Sequence, residues 1–265
     1  MKPSLAATGL AVLWLAACAQ TPPRDLSALL ARTQPTPLLL VGEQHDAPEH
    51  QQLQRELVQT LATRGGLAAV VMEMAEAGRD TRHLSRDASE DAVRQALAWD
   101  QGANWPWPVY GPVVMAAVRA DVPVLGGNLP RARMREAMAD TALDRSVDAP
   151  VLDRQRAAVR EGHCDLLPDS QIAPMTRIQL ARDRSLADTA LQALAPGRTV
   201  LLIAGNGHVR TDIGVPLHLP AGQARRVVVA RAGAAGADAP GDVVWPTPAL
   251  PERDHCAGLR ERFKR

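Results

Sequence analysis

The residues of this chain that could do chemistry lie in short clusters, each directly behind an apolar run. Pro37–Val41 is followed by Gly42, Glu43, Gln44 and His45, and Leu67–Met72 by Glu73 and Glu76. Val122–Leu125 is followed by Gly126, Gly127, Asn128 and then Arg131; Thr199–Ile203 is followed by Gly205, Asn206, Gly207, His208 and then Arg210. Carboxylate and neutral imidazole suit a divalent metal and glycine admits close backbone approach, so Glu43, His45, Glu73 and His208 could hold such an ion. The same groups could act as a general base and its orienting partner. A single Gly-x-x-His behind a strand reads as a turn with a loop histidine. Two of them, with a glutamate at the end of a third run, point to a convergent site. The "GNGH" stretch lacks the Lys and Ser/Thr of a phosphate-binding loop.

These clusters need elements that bring them together. The apolar runs, with two more at 226–230 and 242–245, are continuous rather than alternating. That pattern predicts strands covered on both faces, as in a largely parallel sheet. Behind the first run, Leu53, Leu57 and Leu61 share one helical face, Asp46 and Glu49 resemble a capping-box start, and His50 falls on the helix surface. The β-α-β rhythm implies an α/β fold with a mainly parallel sheet flanked by helices. In such a sheet the ligand crevice lies outside the carboxyl ends of the strands, where all four clusters would meet. Charged helical patterns without strand candidates at about 81–101 and 131–195 predict a smaller all-helical subdomain inserted in that body. Gly- and Pro-rich punctuation marks loops at 102–112 and 232–241, the Ala/Gly stretch 232–239 being an exposed loop.

A second cluster is aromatic. "NWPWPVYGPVV", residues 104–114, holds Trp105, Trp107 and Tyr110, the single Tyr of a chain with one Phe. Pro106, Pro108 and Pro112 should keep the segment extended and oppose a helix before Gly111. Flat aromatic surface beside a phenol suits a planar apolar ligand, and a tyrosinate can hold ferric haem iron. A Trp/Pro loop packed between subdomains is the structural alternative. Covalent c-type attachment is excluded, because the chain has no Cys-x-x-Cys-His.

The 265 residues suffice for one α/β domain with an appendage. A net charge of +1 gives no electrostatic case for nucleic acid, and none is expected as a partner. Lys2 precedes an apolar segment from about Leu5 to Leu15 that ends in Leu15-Ala16-Ala17-Cys18, too short to span a bilayer and shaped like a secretory signal. The L-A-A-C sequence resembles a bacterial lipobox, with Cys18 as the lipidated residue; Ala19-Gln20 behind it would favour the outer membrane. The expected organisation is a signal peptide at 1–18, a tether at 19–35, the α/β domain at 36–250 and a tail at 251–265. The expected location is the cell envelope, lipid-anchored to the outer membrane and periplasm-facing. In that oxidising compartment Cys164 and Cys256 could pair or remain separate thiols.

Several stretches taken in order resemble one family: "LLLVGEQHDAPEHQQLQ", "VVMEM", "WPVYGPVV", "PVLGGNLPR", "GHCDLLP", the M-x-x-x-Q-x-x-R-D arrangement from Met175 to Asp183, "IAGNGHVRTDIGVPLHL" and "DVVWPTP". They look like the ChaN-type haem-binding lipoproteins of the Tiki/TraB/erythromycin-esterase-like superfamily, from about residue 36 to 248. The resemblance implies an α/β body with a parallel sheet and a helical portion. It also implies haem binding in iron uptake or storage at the envelope, with the iron held by a Tyr in a dimer that encloses a stacked pair of haems. Carried over, the phenol is Tyr110, with Trp105 and Trp107 as walls, a homodimer forming on haem binding and an outer-membrane haem receptor as partner. The wider superfamily uses paired Gly-x-x-His motifs in metalloprotease or hydrolase sites. That keeps open an enzymatic alternative in which Glu43 is the base and His45 and His208 bind metal.

Overall fold

The computed structural model describes residues 25–99, 105–233 and 240–263. Six strands, β1 (Leu38–Glu43), β2 (Leu67–Glu76), β3 (Val124–Asn128), β4 (Thr199–Gly205), β5 (Arg226–Ala232) and β6 (Val243–Thr247), form one sheet in the order β3-β2-β4-β1-β5-β6. Every pairing is parallel. The continuous apolarity of the runs has the expected cause. Leu39, Val41, Val70, Met72, Leu201 and Ile203 enter the core on one face, while Leu38, Leu40, Ala69, Val71, Val200 and Leu202 enter the core on the other.

The helices α1 (Leu26–Thr33), α2 (Pro48–Thr63), α3 (Glu90–Ala96) and α4 (Trp107–Arg119) supply residues to the first core, among them Leu29, Leu30, Leu53, Leu57, Val93, Tyr110 and Val114. The chain then moves through α5 (Met134–Ala139), α6 (Ala149–Gly162) and α7 (Asp169–Gln192) to the opposite face, where Leu186, Ala187 and Ala190 of α7 join the second core. The change of face follows from handedness: steps from β1 to β2 to β3 run one way across the sheet, the return to β4 runs the other, and right-handed crossovers then fall on opposite faces. Leu129, Ala137, Leu143, Leu152 and Leu180 make a small separate core for the inserted helices. A short helix α8 (Asn206–Val209) lies directly behind β4, and α9 (Ala257–Phe263) follows β6. Cys164, just after α6, forms a disulfide with Cys256 at the start of α9.

Four local expectations are corrected. Residues 26–33 of the expected tether are helix α1, capped by Asp25, whose side chain accepts from Ser27 N, and anchored by Leu29 and Leu30. The Trp/Pro segment is helical from Trp107: Pro108 occupies the first turn, where no backbone N–H is needed, and Pro112 is accommodated inside α4. No capping box starts α2, because its N-cap is Ala47 with Pro48 as first residue, so Glu49 acts only as an acidic residue in the first turn. His50 is fully buried rather than on a surface; its Nδ1 accepts from Gln44 N at 2.9 Å and its Nε2 meets Thr247 Oγ1 at 3.0 Å, tying α2 to β6. The 234–239 part of the Ala/Gly loop, and Cys18 with its lipobox, lie outside the described residues.

Candidate functional site

The sheet's central strands β1 and β4 are neighbours whose onward connections leave in opposite directions, which is where an open parallel sheet forms its ligand crevice. Their last residues, Glu43 and Gly205, are in register with each other. A cleft of about 640 Å³ opens there. It is lined by Glu43, His45, Glu73, Met74, Asn128, Gly205 and His208 at or just beyond the strand ends, together with Trp105, Arg131, Met134, Gln179 and Arg182. All four rim residues expected from the sequence therefore line one cleft.

Two hydrogen-bonded chains organise it. Glu43 is buried and accepts from four donors: Tyr110 Oη at 2.6 Å and His45 Nδ1 at 2.7 Å on one oxygen, Gln51 Nε2 at 2.7 Å and Gln54 Nε2 at 2.5 Å on the other. The side chain of His45 is 42% exposed, and with Nδ1 committed to Glu43 its Nε2 is left facing Gly205. Burial alone would lower the pKa of His45, but the Glu43 hydrogen bond and the charges of Glu73 and Glu43 outweigh it and raise the group above its ordinary value. The second chain runs from Glu73 through His208 to Asp183. Glu73 accepts from Gly205 N at 2.8 Å and lies 3.4 Å from His208 Nε2, while His208 Nδ1 is 2.6 Å from Asp183. Asp183 in turn accepts from Gln155 at 3.2 Å.

The imidazole of His208 thus sits between two carboxylates. Burial would discharge it, but Glu73 and Asp183 hold it protonated and push its pKa up to about 10. Burial opposes ionisation of Glu73 as well, yet the charge and hydrogen bond of His208 bring its pKa down to about 2. Burial pushes Asp183 the other way, upward, against the pull of His208.

The aromatic residues divide. Trp105 lines the cleft, its ring edge-on to His45 with centroids 4.7 Å apart. Trp107 does not reach it: its indole donates to Glu90 at 2.9 Å and stacks edge-on with Trp99. Tyr110 is 1% exposed and stands behind the rim, its hydroxyl donated to Glu43; burial, then the charge and hydrogen bond of Glu43, raise its pKa. Tyr110, the expected haem ligand, thus has its hydroxyl directed at Glu43, and Trp107, an expected wall, is not among the residues lining the cleft. The divalent-metal expectation is likewise not supported: among the described residues no group of three or more His, Cys, Asp and Glu is arranged to hold an ion. The lone pairs of Glu43 and Glu73 are directed at protein donors instead.

Sequence reasoning passed over Gln51 and Gln54, three apart on the inner face of α2, and assigned no role to Gln179, Arg182 and Asp183. The last three share one face of α7 by their spacing. A signal was available for both groups: polar residues at helical spacing on a face otherwise given to Leu53 and Leu57 or to Leu180 and Leu186.

Fold and site together define an open parallel α/β protein with a ligand cleft at the topological switch point. The chain belongs to the family described as "Haem-binding uptake, Tiki superfamily, ChaN", whose model matches residues 29–219. A solved structure described as "Cofacial heme binding to ChaN of Campylobacter jejuni" is similar at 23% identity and a TM-score of 0.68, covering 82% of this chain and 89% of that one. A mutant of the erythromycin esterase EreC in its open conformation is matched at 13% identity and a TM-score of 0.45, covering 78% of this chain and 72% of that one. No curated protein matches.

Proposed function

We propose that this protein binds haem in the switch-point cleft as an envelope-anchored carrier or store for iron uptake. Family membership supports haem as the ligand. The observation that carries the site is His45: a partly exposed, cleft-lining imidazole beside Trp105, with Nδ1 fixed by a buried carboxylate and Nε2, against Gly205, without a hydrogen bond among the described residues. Such a carboxylate–imidazole pair fixes the tautomer and makes the outer nitrogen a better iron ligand. Met74, Met134 and Trp105 give the apolar, polarizable contacts a porphyrin needs, and the cleft volume falls within the range of small-molecule sites, about 300–1,000 Å³. On this reading His45 holds the iron, Glu43 orients His45, and Tyr110 with Gln51 and Gln54 holds Glu43.

The hydrolase reading is not favoured, because a carboxylate engaged by four donors is poorly placed to serve as a base. Lipidation at Cys18, outer-membrane attachment facing the periplasm, a haem-linked homodimer and a haem-receptor partner belong to the same proposal.

The test is a ferric haem titration of the detergent-solubilised chain. His45→Ala is expected to abolish the ligand-dependent Soret shift, while Tyr110→Phe keeps the band and weakens binding only modestly. Loss of the band in Tyr110→Phe with retention in His45→Ala would return the ligand role to the phenol. For the anchor, Cys18→Ser is expected to leave the membrane fraction; wild-type and variant chains fractionating alike would refute lipidation.

A further inference from the structure

We infer that Arg131 and Arg182 form a carboxylate-binding pair in the cleft, so that its ligand is recognised by acidic side groups as well as by its ring. This deepens the haem reading and rests on it. Arg131 follows β3, where its backbone N donates to Glu76 at 2.9 Å, and Arg182 projects from α7. Both line the cleft. Neither guanidinium has a hydrogen bond or ion pair among the described residues, whereas Arg133, Arg177 and Arg210 are each held by a carboxylate at 2.7–2.9 Å.

The unpaired state is not for want of acids nearby. Glu43 and Glu73 are taken up by the donors described above, and Asp183, next to Arg182 in sequence, is given to His208 and Gln155. The Nε of Arg182 is moreover buried without a hydrogen-bond partner. A buried donor left so costs free energy, and a guanidinium recovers it best from a carboxylate, which it can bind through two parallel N–H groups. Two such groups in a cleft that also presents Trp105, Met74 and Met134 fit an amphipathic ligand with paired carboxylates, which is the chemistry of a porphyrin bearing two propionates.

The probes are iron(III) protoporphyrin IX and its dimethyl ester, titrated into the detergent-solubilised chain and followed by Soret absorbance and tryptophan quenching. Wild type is expected to bind the free acid at least about tenfold more tightly than the ester, the scale of one charge-assisted hydrogen bond. In Arg131→Met with Arg182→Met the preference should shrink to within about twofold, ester binding staying near the wild-type level. Arg133→Met, which removes a guanidinium paired with Glu136, controls for net charge and should keep the preference. If the double variant fails to fold, as judged by circular dichroism, Arg131→Met alone is read, its side chain being exposed.

Equal binding of acid and ester by wild type, or a preference that survives in the arginine variants, overturns the inference and leaves haem binding standing. Failure of wild type to bind either porphyrin overturns both.

Discussion

Gly205→Ala isolates the His45–Glu43 contact with one methyl group. The backbone at this position (φ −57°, ψ 150°) accepts any residue, so the substitution introduces no backbone strain. The added Cβ would lie 2.8 Å from His45 Nε2 and 3.0 Å from its Cε1, but 3.5 Å from Glu73 Oε2. Carbon contacts are comfortable at about 3.5 Å, so the imidazole must retreat by about 0.7 Å while Glu73 need not move. Because the ring is partly exposed it can swing outward, stretching its 2.7 Å bond to Glu43 beyond useful length. A hydrogen bond to a charged group contributes about 1.5–3 kcal/mol, and partial exposure places this one at the lower end, about 1–2 kcal/mol. Glu43 keeps Tyr110, Gln51 and Gln54, so the fold should survive, with a urea midpoint lower by about 0.5 M. An NMR titration with the His45 resonance assigned through His45→Gln should show its pKa falling toward 6.5 in the variant. An unchanged midpoint with an unchanged His45 titration would refute the reasoning.

Other consequences can be checked in parallel. His208 is held charged, with a folded pKa of about 10 against 6.5 when free, so its stabilisation is complete below pH 6.5 and lost as pH rises toward 10. Glu73, brought down to about 2 from 4.5, contributes above pH 4.5 and loses its contribution as pH falls toward 2. Urea denaturation of wild type and His208→Gln should therefore differ most between pH 4.5 and 6.5, by about 3–5 kcal/mol, and converge by pH 10; a constant gap across that range would contradict a charged His208. Glu43→Ala strands Tyr110, Gln51, Gln54 and His45 without their shared acceptor and should destabilise by about 3–5 kcal/mol, measured by thermal and urea unfolding. Cys256→Ser removes a link between residues 92 apart, whose loop-closure effect is at most about 4–5 kcal/mol. The variant should unfold at lower urea than the oxidised wild type, and equal midpoints would show that the bridge does not form.

How much of this was legible in the sequence depends on what each feature needs. The strands were, because a strand buried on both faces must be apolar throughout, as the inner runs Leu38–Val41, Leu67–Met72 and Val200–Ile203 are. The convergence of Glu43, His45, Glu73 and His208 also was, since parallel strands deliver their carboxyl ends to one rim whatever their order. Strand order itself, and the pairing of Glu43 with Gly205 across β1 and β4, required the assembled sheet.

The misread residues have a common cause. Proline composition suggested an extended 104–112, but Pro108 starts a helix as readily as it blocks one, and the phase of α4 then turns Tyr110 inward to Glu43 and Trp107 toward Trp99. His50 read as a surface residue because its partners, Gln44 N and Thr247, lie on either side of a turn and nearly two hundred residues away. The sequence by itself determined which residues are apolar enough to be strands, and therefore where the polar ends fall. Only the tertiary structure decided which carboxylate holds which imidazole, because a buried acid takes its partners from whatever chain the packing brings within about 3 Å.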